Sequence, residues 1–302
     1  MNKTKAFVSA ARLRTLPLSL SGIIVGSAIA AHEGKFNVVI CVLALITTIG
    51  FQVLSNFAND YGDGIKGTDN EHRIGPMRAL QSGVITPAEM KKAMIVTTIL
   101  TMIAAIALIY VSFGSENSGY ALFFFLLGLA CIGAAIKYTV GSGAYGYRGL
   151  GDIFVFIFFG LVAVVGSYFL YAQQLQFSVF LPAITIGLLS VGVLNLNNMR
   201  DRESDERSGK LTLAVKLGAA ASRKYHVIVI VLAIVSSLGY LFIEYNSWIN
   251  LIFLLSFIPL ILHIKRVVGN VLPKALDPEL KTLALSTFLF SLLFTLSFNI
   301  FL

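Results

Sequence analysis

Apolar stretches long enough to cross a bilayer recur along the whole chain. A helical span needs about 20 predominantly apolar residues. The pattern predicts nine such helices, at roughly 15–31, 37–57, 92–113, 119–138, 152–171, 177–197, 225–243, 247–264 and 282–301. The third has a clear start, with Thr86 as N-cap, Pro87 at the first helical position and Glu89 three residues after the cap. Lys3, Lys5, Arg12 and Arg14 ahead of an apolar run ending in Ala28-Ile29-Ala30 imitate a secretory leader. The run is long enough for a span and many others follow, so it reads as the first helix. No Pro/Ser-rich linker or low-complexity tract divides the chain. The expectation is an all-α, polytopic membrane protein with residues 1–302 as one domain.

Composition agrees with this pattern. Of 302 residues, 57% are hydrophobic and 13% charged, against about a quarter charged in an ordinary soluble domain. The net charge of +8 is read as loops facing anionic lipid and an anionic substrate, not as a nucleic-acid surface. Cys41 and Cys131 both lie inside apolar runs, and His32, His72, His226 and His263 are scattered. Neither a disulfide framework nor a Cys/His metal spacing is present.

Basic residues orient the helices. With the N-terminus in the cytoplasm, 22 of the 23 Lys and Arg residues fall on the cytoplasmic side and only Lys35 lies outside, a bias that sets topology. The cytoplasmic loops after the second and sixth helices are long and also acidic. The outer loops are short and nearly featureless.

Those two loops begin with related clusters. Asn56, Asp60 and Asp63 stand at i, i+4 and i+7, one face of a helix, and Asp69 follows. Gly62 and Gly64 are expected to loosen the helix just beyond. Four helices later come Asn197, Asn198, Arg200, Asp201 and Asp205, with the two acids at i and i+4. This is a weak duplication of the kind found in membrane proteins built from repeated halves. Acids near a helix C-terminus oppose the macrodipole, so a chain carrying two such clusters is expected to supply cations to neutralise them. Asn56, Asp60, Asp63, Asp201 and Asp205 offer oxygen donors only. That suits Mg²⁺, which binds through a few carboxylates while keeping water and phosphate oxygens. Two facing clusters could hold a diphosphate through bridging magnesium. Among the basic residues, Arg78, Lys137 and Arg148 stand in or beside Gly-rich turns that allow close approach. Arg73, Tyr138, Arg200 and Lys210 flank the same segments. For any one of these residues, a solvated helix end or a positive-inside anchor is the plainer account. The paired clusters are what that account leaves unexplained.

The chain resembles the UbiA superfamily of intramembrane aromatic prenyltransferases over nearly its full length. The resemblance rests on Asn59-Asp60-Tyr-Gly-Asp63-Gly-Ile-Lys-Gly67-Thr-Asp69, Tyr147-Arg-Gly-Leu-Gly-Asp152 and Asn197-Asn-Met-Arg-Asp201-Arg-Glu-Ser-Asp205 with Gly209-Lys-Leu-Thr-Leu-Ala-Val. In many relatives the first motif continues as Asp-x3-Asp, whereas here Asp63 is followed by Asp69. The branch that prenylates 1,4-dihydroxy-2-naphthoate is similar in this respect. The resemblance implies nine helices and a Mg²⁺-dependent enzyme of a bacterial cytoplasmic membrane, with its site on the cytoplasmic side. Its implied substrates are a polyprenyl diphosphate and that naphthoate, and its product is demethylmenaquinone, formed with loss of the carboxylate. Carried onto this chain, Asp60, Asp63, Asp201, Asp205, Arg78, Lys137, Tyr138 and Arg148 are the catalytic candidates. Asn56, Asn59, Asp69, Arg73, Asn198, Arg200 and Lys210 are the substrate contacts. Relatives acting on 4-hydroxybenzoate or in chlorophyll-type synthesis, a transporter and a structural scaffold are the competing readings. Transport fits less well, because the acids lie at helix ends and not at mid-membrane.

A cysteine in place of Glu116 is expected to react with impermeant reagent only from the outer face. Labelling from the cytoplasmic side would overturn the predicted topology.

Overall fold

The computed structural model describes residues 2–70, 74–270 and 272–300. Among them are nine helices or helical runs long and apolar enough to cross a membrane. A short helix α1 (Lys3–Ala11) leads through a tight turn into α2 (Leu16–His32). Then come α3 (Val38–Ile65), α4 (Pro87–Phe113), α5 (Ser118–Lys137), α6 (Gly151–Ala172), α7 (Phe180–Arg207), α8 (Leu213–Glu244), α9 (Trp248–Gly269) and α10 (Asp277–Asn299). The capping box opening α4 forms as its sequence indicates, with the Thr86 hydroxyl accepting from the Glu89 N–H and the Glu89 carboxylate accepting from the Thr86 N–H.

Several helices are longer than their apolar runs. α3 continues two turns past residue 57 and α7 three turns past residue 197, so both acidic clusters are helical. α3 stays helical through Gly62 and Gly64 and ends at Ile65, just beyond them. A glycine breaks a helix only where nothing holds the turn, and here Gly62 is held by close packing. A Cβ on it would lie 2.7 Å from the Cβ and carbonyl carbon of Thr139. The Thr139 hydroxyl in turn donates to the Ala58 carbonyl at 2.9 Å. α8 begins at Leu213, twelve residues before the expected start, because its first turns are too polar to read as membrane. It bends at Gly218, where φ is 75°.

Small residues set the helix contacts, as expected where lipid removes any hydrophobic drive between helices. The central part of α6, Phe156–Gly166, is a wide π-helical stretch. Its Gly160 lies so close to α7 that a Cβ would meet Gly187 Cα and the Ala183 carbonyl oxygen at 2.7 Å. Away from the acidic clusters the core is aromatic, with Tyr168, Tyr240, Phe253, Phe290 and Phe294 fully buried among α6, α8, α9 and α10. At the other end, α1 lays Ala6, Ala10 and Ala11 against Phe57 and Met90. The outward faces remain apolar and exposed, as at Ile99, Leu100, Leu232 and Phe242.

Gly62→Ala is expected to destabilise the protein by about 1–3 kcal/mol through overpacking. Gly133→Ala on α5, with open space around it, is expected to leave the melting temperature in detergent unchanged or raised. Equal melting of the two variants would contradict the packing argument.

Candidate active site

The extended ends of α3 and α7 converge, and the residue joining them is Lys210, in the turn between α7 and α8. The Lys210 backbone N–H donates to the Asp205 carbonyl at 2.8 Å, curling the chain back. Its ammonium then lies 3.3 Å from Asp63 Oδ2 and 3.9 Å from Asp205 Oδ1. One buried cation thus sits between carboxylates of the two motifs. Burial alone pushes this ammonium down, but Asp63 and Asp205 outweigh it and hold its pKa above the usual lysine value. It stays charged throughout the physiological range.

Tyr147 closes one side of the pair. Its hydroxyl donates to Asp63 Oδ1 at 2.7 Å and lies 2.6 Å from the Thr68 hydroxyl. Lys66 stands 3.9 Å over its ring, within cation–π range. Burial, followed by the Asp63 charge, raises the Tyr147 pKa, so its proton stays on the phenol. The segment is pinned where the Leu211 N–H donates to the Tyr147 carbonyl at 3.1 Å.

Asp60 faces a second set of cations. Arg12 donates to its Oδ1, and Arg78 Nε lies 3.7 Å from Asp60 and 3.9 Å from Asp69. Arg12 reaches this position because its own backbone is left-handed, with φ 50° at the joint after α1. Such conformations are uncommon outside glycine. Asn56 secures the joint by donating to the Ala11 carbonyl at 2.9 Å. In the second motif, Arg200 pairs with both oxygens of Asp201, at 2.9 and 2.6 Å. Cationic side chains of the chain itself therefore supply much of the neutralisation that the two acidic clusters require.

The remaining candidates separate by position. Asn198 is buried near its cluster, and Asn59 accepts from the Thr139 hydroxyl at 3.5 Å. Tyr138 stacks edge-on against Tyr145, with ring centroids 5.3 Å apart. Lys137 and Arg148 are exposed. They take part in no ion pair among the described residues, and the Arg148 carbonyl accepts from Lys216 at 2.6 Å. Arg73 lies outside the described residues. Arg12 was counted in sequence only as a basic anchor, and no spacing signal links it to Asp60. Tyr147 stood inside a quoted motif without a role of its own.

Above the cluster an apolar cavity of about 320 Å³ runs between α2, α3, α4, α5 and α6. Its polar end is formed by Gln52, Asn56, Asn59 and Tyr138, and its far end by Leu108, Ile109 and Leu170. The whole is a bipolar site, with a charged head region and a lipid-like slot.

The donor chemistry fits magnesium. The acids present oxygen donors without His or Cys, and the Lys210 ammonium marks a cation position shared by Asp63 and Asp205. Among the described residues no three His, Cys, Asp or Glu side chains close into a preformed cage. This is compatible with an ion that keeps water and substrate oxygens in its shell.

Comparison with known proteins agrees with this architecture. Two proteins named 1,4-dihydroxy-2-naphthoate octaprenyltransferase are each 43% identical to the chain. The one from Escherichia coli aligns over 98% of this chain and 96% of its own, and the one from Haemophilus influenzae over 97% and 96%. The fold is shared with the apo structure of a UbiA homolog from Aeropyrum pernix K1, with TM-score 0.70 and 15% identity over 93% of this chain and 97% of that one. It is also shared with a UbiA homolog from Archaeoglobus fulgidus bound to DMAPP and Mg²⁺, with TM-score 0.57 and 16% identity over 93% and 98%. The model of the UbiA prenyltransferase family matches residues 19–300, and the chain belongs to that family.

Proposed function

We propose that the chain transfers a polyprenyl group from a polyprenyl diphosphate to 1,4-dihydroxy-2-naphthoate, with loss of the carboxylate, giving demethylmenaquinone. It does so as a single unit in a bacterial cytoplasmic membrane, with its site facing the cytoplasm. The observation that carries the reading is an apolar slot of about 320 Å³ whose polar end, at Asn56 and Asn59, lies on the same helix as Asp60 and Asp63 of the buried acid and cation cluster. A substrate with a polyanionic head and an isoprenoid tail matches both parts. The 43% identity to two naphthoate octaprenyltransferases over nearly the whole chain supports the acceptor.

In this reading Asp60, Asp63, Asp201 and Asp205, with Asn56, hold magnesium. The bound ion would supply Lewis-acid stabilisation of the departing diphosphate. Lys210, Arg78 and Arg12 place positive charge beside it, and such preorganised charge acts strongly in a water-poor site. Asn59, Asp69, Asn198 and Arg200 border the head region, and Arg73 is a further candidate contact. Lys137 and Arg148 meet the diphosphate on entry. Tyr138, with Tyr145 and Phe154, walls the junction of head and slot with aromatic faces. These faces exclude water and stabilise a developing allylic cation. The slot takes the first isoprene units, and the remaining tail lies along the lipid-facing helices.

Purified protein with Mg²⁺, a polyprenyl diphosphate and the naphthoate is expected to yield a decarboxylated prenyl product. Replacing the acceptor by 4-hydroxybenzoate should give none. Excess chelator should abolish turnover, and full activity with no detectable metal would overturn the magnesium assignment. Asp63→Ala and Asp205→Ala should each lower turnover on the order of 100-fold or more. The double variant should be little worse than either, because groups acting as a unit do not add. Near-normal turnover of either single variant at limiting Mg²⁺ would refute the shared site.

Arg12→Ala is expected to raise the KM for the prenyl diphosphate about tenfold, on the scale of one screened charge interaction, with smaller loss in kcat. An unchanged KM would return Arg12 to the role of a membrane anchor.

A further inference from the structure

Arg200 and Asp201 are adjacent in sequence, and adjacent helical residues point about 100° apart. A bidentate pair between them requires the long arginine side chain to be folded back and held. Two acceptors hold it. Asn197 Oδ1 accepts from Nη2 at 2.8 Å, and Asp277 Oδ1 accepts from Nη1 at 2.5 Å. With the two bonds to Asp201, four of the five guanidinium donors are placed. The Arg200 side chain is only 2% exposed, whereas that of Asp277 is 43% exposed. Asp277 opens α10, more than 70 residues from the motif it touches.

The first turn of α10 is fixed independently. Glu279 accepts from Arg266 Nε at 2.5 Å and lies 2.6 Å from His263 Nδ1, both on α9. His263 in turn lies 2.9 Å from His226 on α8. Asp277 is therefore presented from a rigid corner.

We infer that Asp277 is a positioning residue of the second acidic motif, acting through Arg200 on Asp201; the inference rests on the function proposed above. Alone, Arg200 would cancel the Asp201 charge. With Asp277 the triad carries a net −1 and still attracts a divalent cation. The bond to Asp277 also gives the guanidinium a second anchor on α10, so that Arg200 can give up one of its two bonds to Asp201 when a metal binds. The plainer alternative is that Asp277 merely favours the N-terminus of α10 through the helix dipole.

The test is a Mg²⁺ titration of the full-length protein in detergent with inorganic diphosphate, read as thermal stabilisation, alongside turnover. Asp277→Asn should need about tenfold more Mg²⁺ for half-maximal stabilisation, as expected for losing one partly screened charge. Its turnover should show the same displacement, with kcat at saturating Mg²⁺ nearly retained. Asp277→Glu should restore the wild-type midpoint. Asp277→Ser, a second neutral N-terminal residue, should behave as Asn does. Leu283→Ala, which opens the core beneath α10 without removing a charged group, should lower the melting temperature without moving the midpoint. The positioning role is overturned if the neutral variants titrate as wild type, or if Leu283→Ala shifts the midpoint equally. If wild type itself gains no stability from Mg²⁺ with diphosphate, it is the parent reading of the site that fails.

Discussion

The ammonium of Lys210 between Asp63 and Asp205 is the contact on which the acidic end of the helix bundle depends. Two acidic helix ends brought together repel one another, and both already oppose their own macrodipoles. A buried ammonium 3.3 and 3.9 Å from the two carboxylates removes that repulsion. It lets α3 and α7 keep their polar last turns helical and close together. The contact also fixes the turn that leads into α8 and brings Leu211 onto the Tyr147 carbonyl. The loop before α6 is thereby tied to the same centre.

Around this centre charge is balanced locally. Arg12 and Arg78 face Asp60, Lys210 faces Asp63 and Asp205, and Arg200 faces Asp201. Pairs of this kind cost desolvation, and they persist where their hydrogen bonds are satisfied. The arrangement is nevertheless suited to exchange. In the function proposed above, these cations turn toward an incoming polyanion and leave carboxylate oxygens for a metal. The neighbouring slot is mainly apolar, and its polar end at Asn56 and Asn59 lies on the helix that carries Asp60 and Asp63.

Much of the architecture was legible in the chain. Nine apolar runs and the Thr86–Glu89 cap specify the number and order of the helices. Each of these depends on local composition or short spacing. The paired motifs were legible for the same reason, since Asn56, Asp60 and Asp63 share a face wherever the helix lies. The helix ends were less legible. Polarity stopped the apparent spans at 57 and 197, whereas backbone hydrogen bonding continued to Ile65 and Arg207. Hydropathy reports where lipid ends and does not report where a helix ends.

By itself, then, the sequence determined a bundle of membrane helices with two acidic faces at one end. Only the tertiary structure decided which cation meets which acid. Arg12 reaches Asp60 through a left-handed joint 48 residues away, Lys210 reaches Asp63 across 147 residues, and Asp277 reaches Arg200 across 77. It also turned Lys137 and Arg148 outward, although their glycine-rich setting suggested inward roles. The reason is physical. Periodicity and charge bias are properties of single segments, but an ion pair between distant segments depends on the approach of whole helices. That approach is set by contacts such as Gly62 on Thr139 and Gly160 on Gly187, which leave no mark in the spacing of the charged residues.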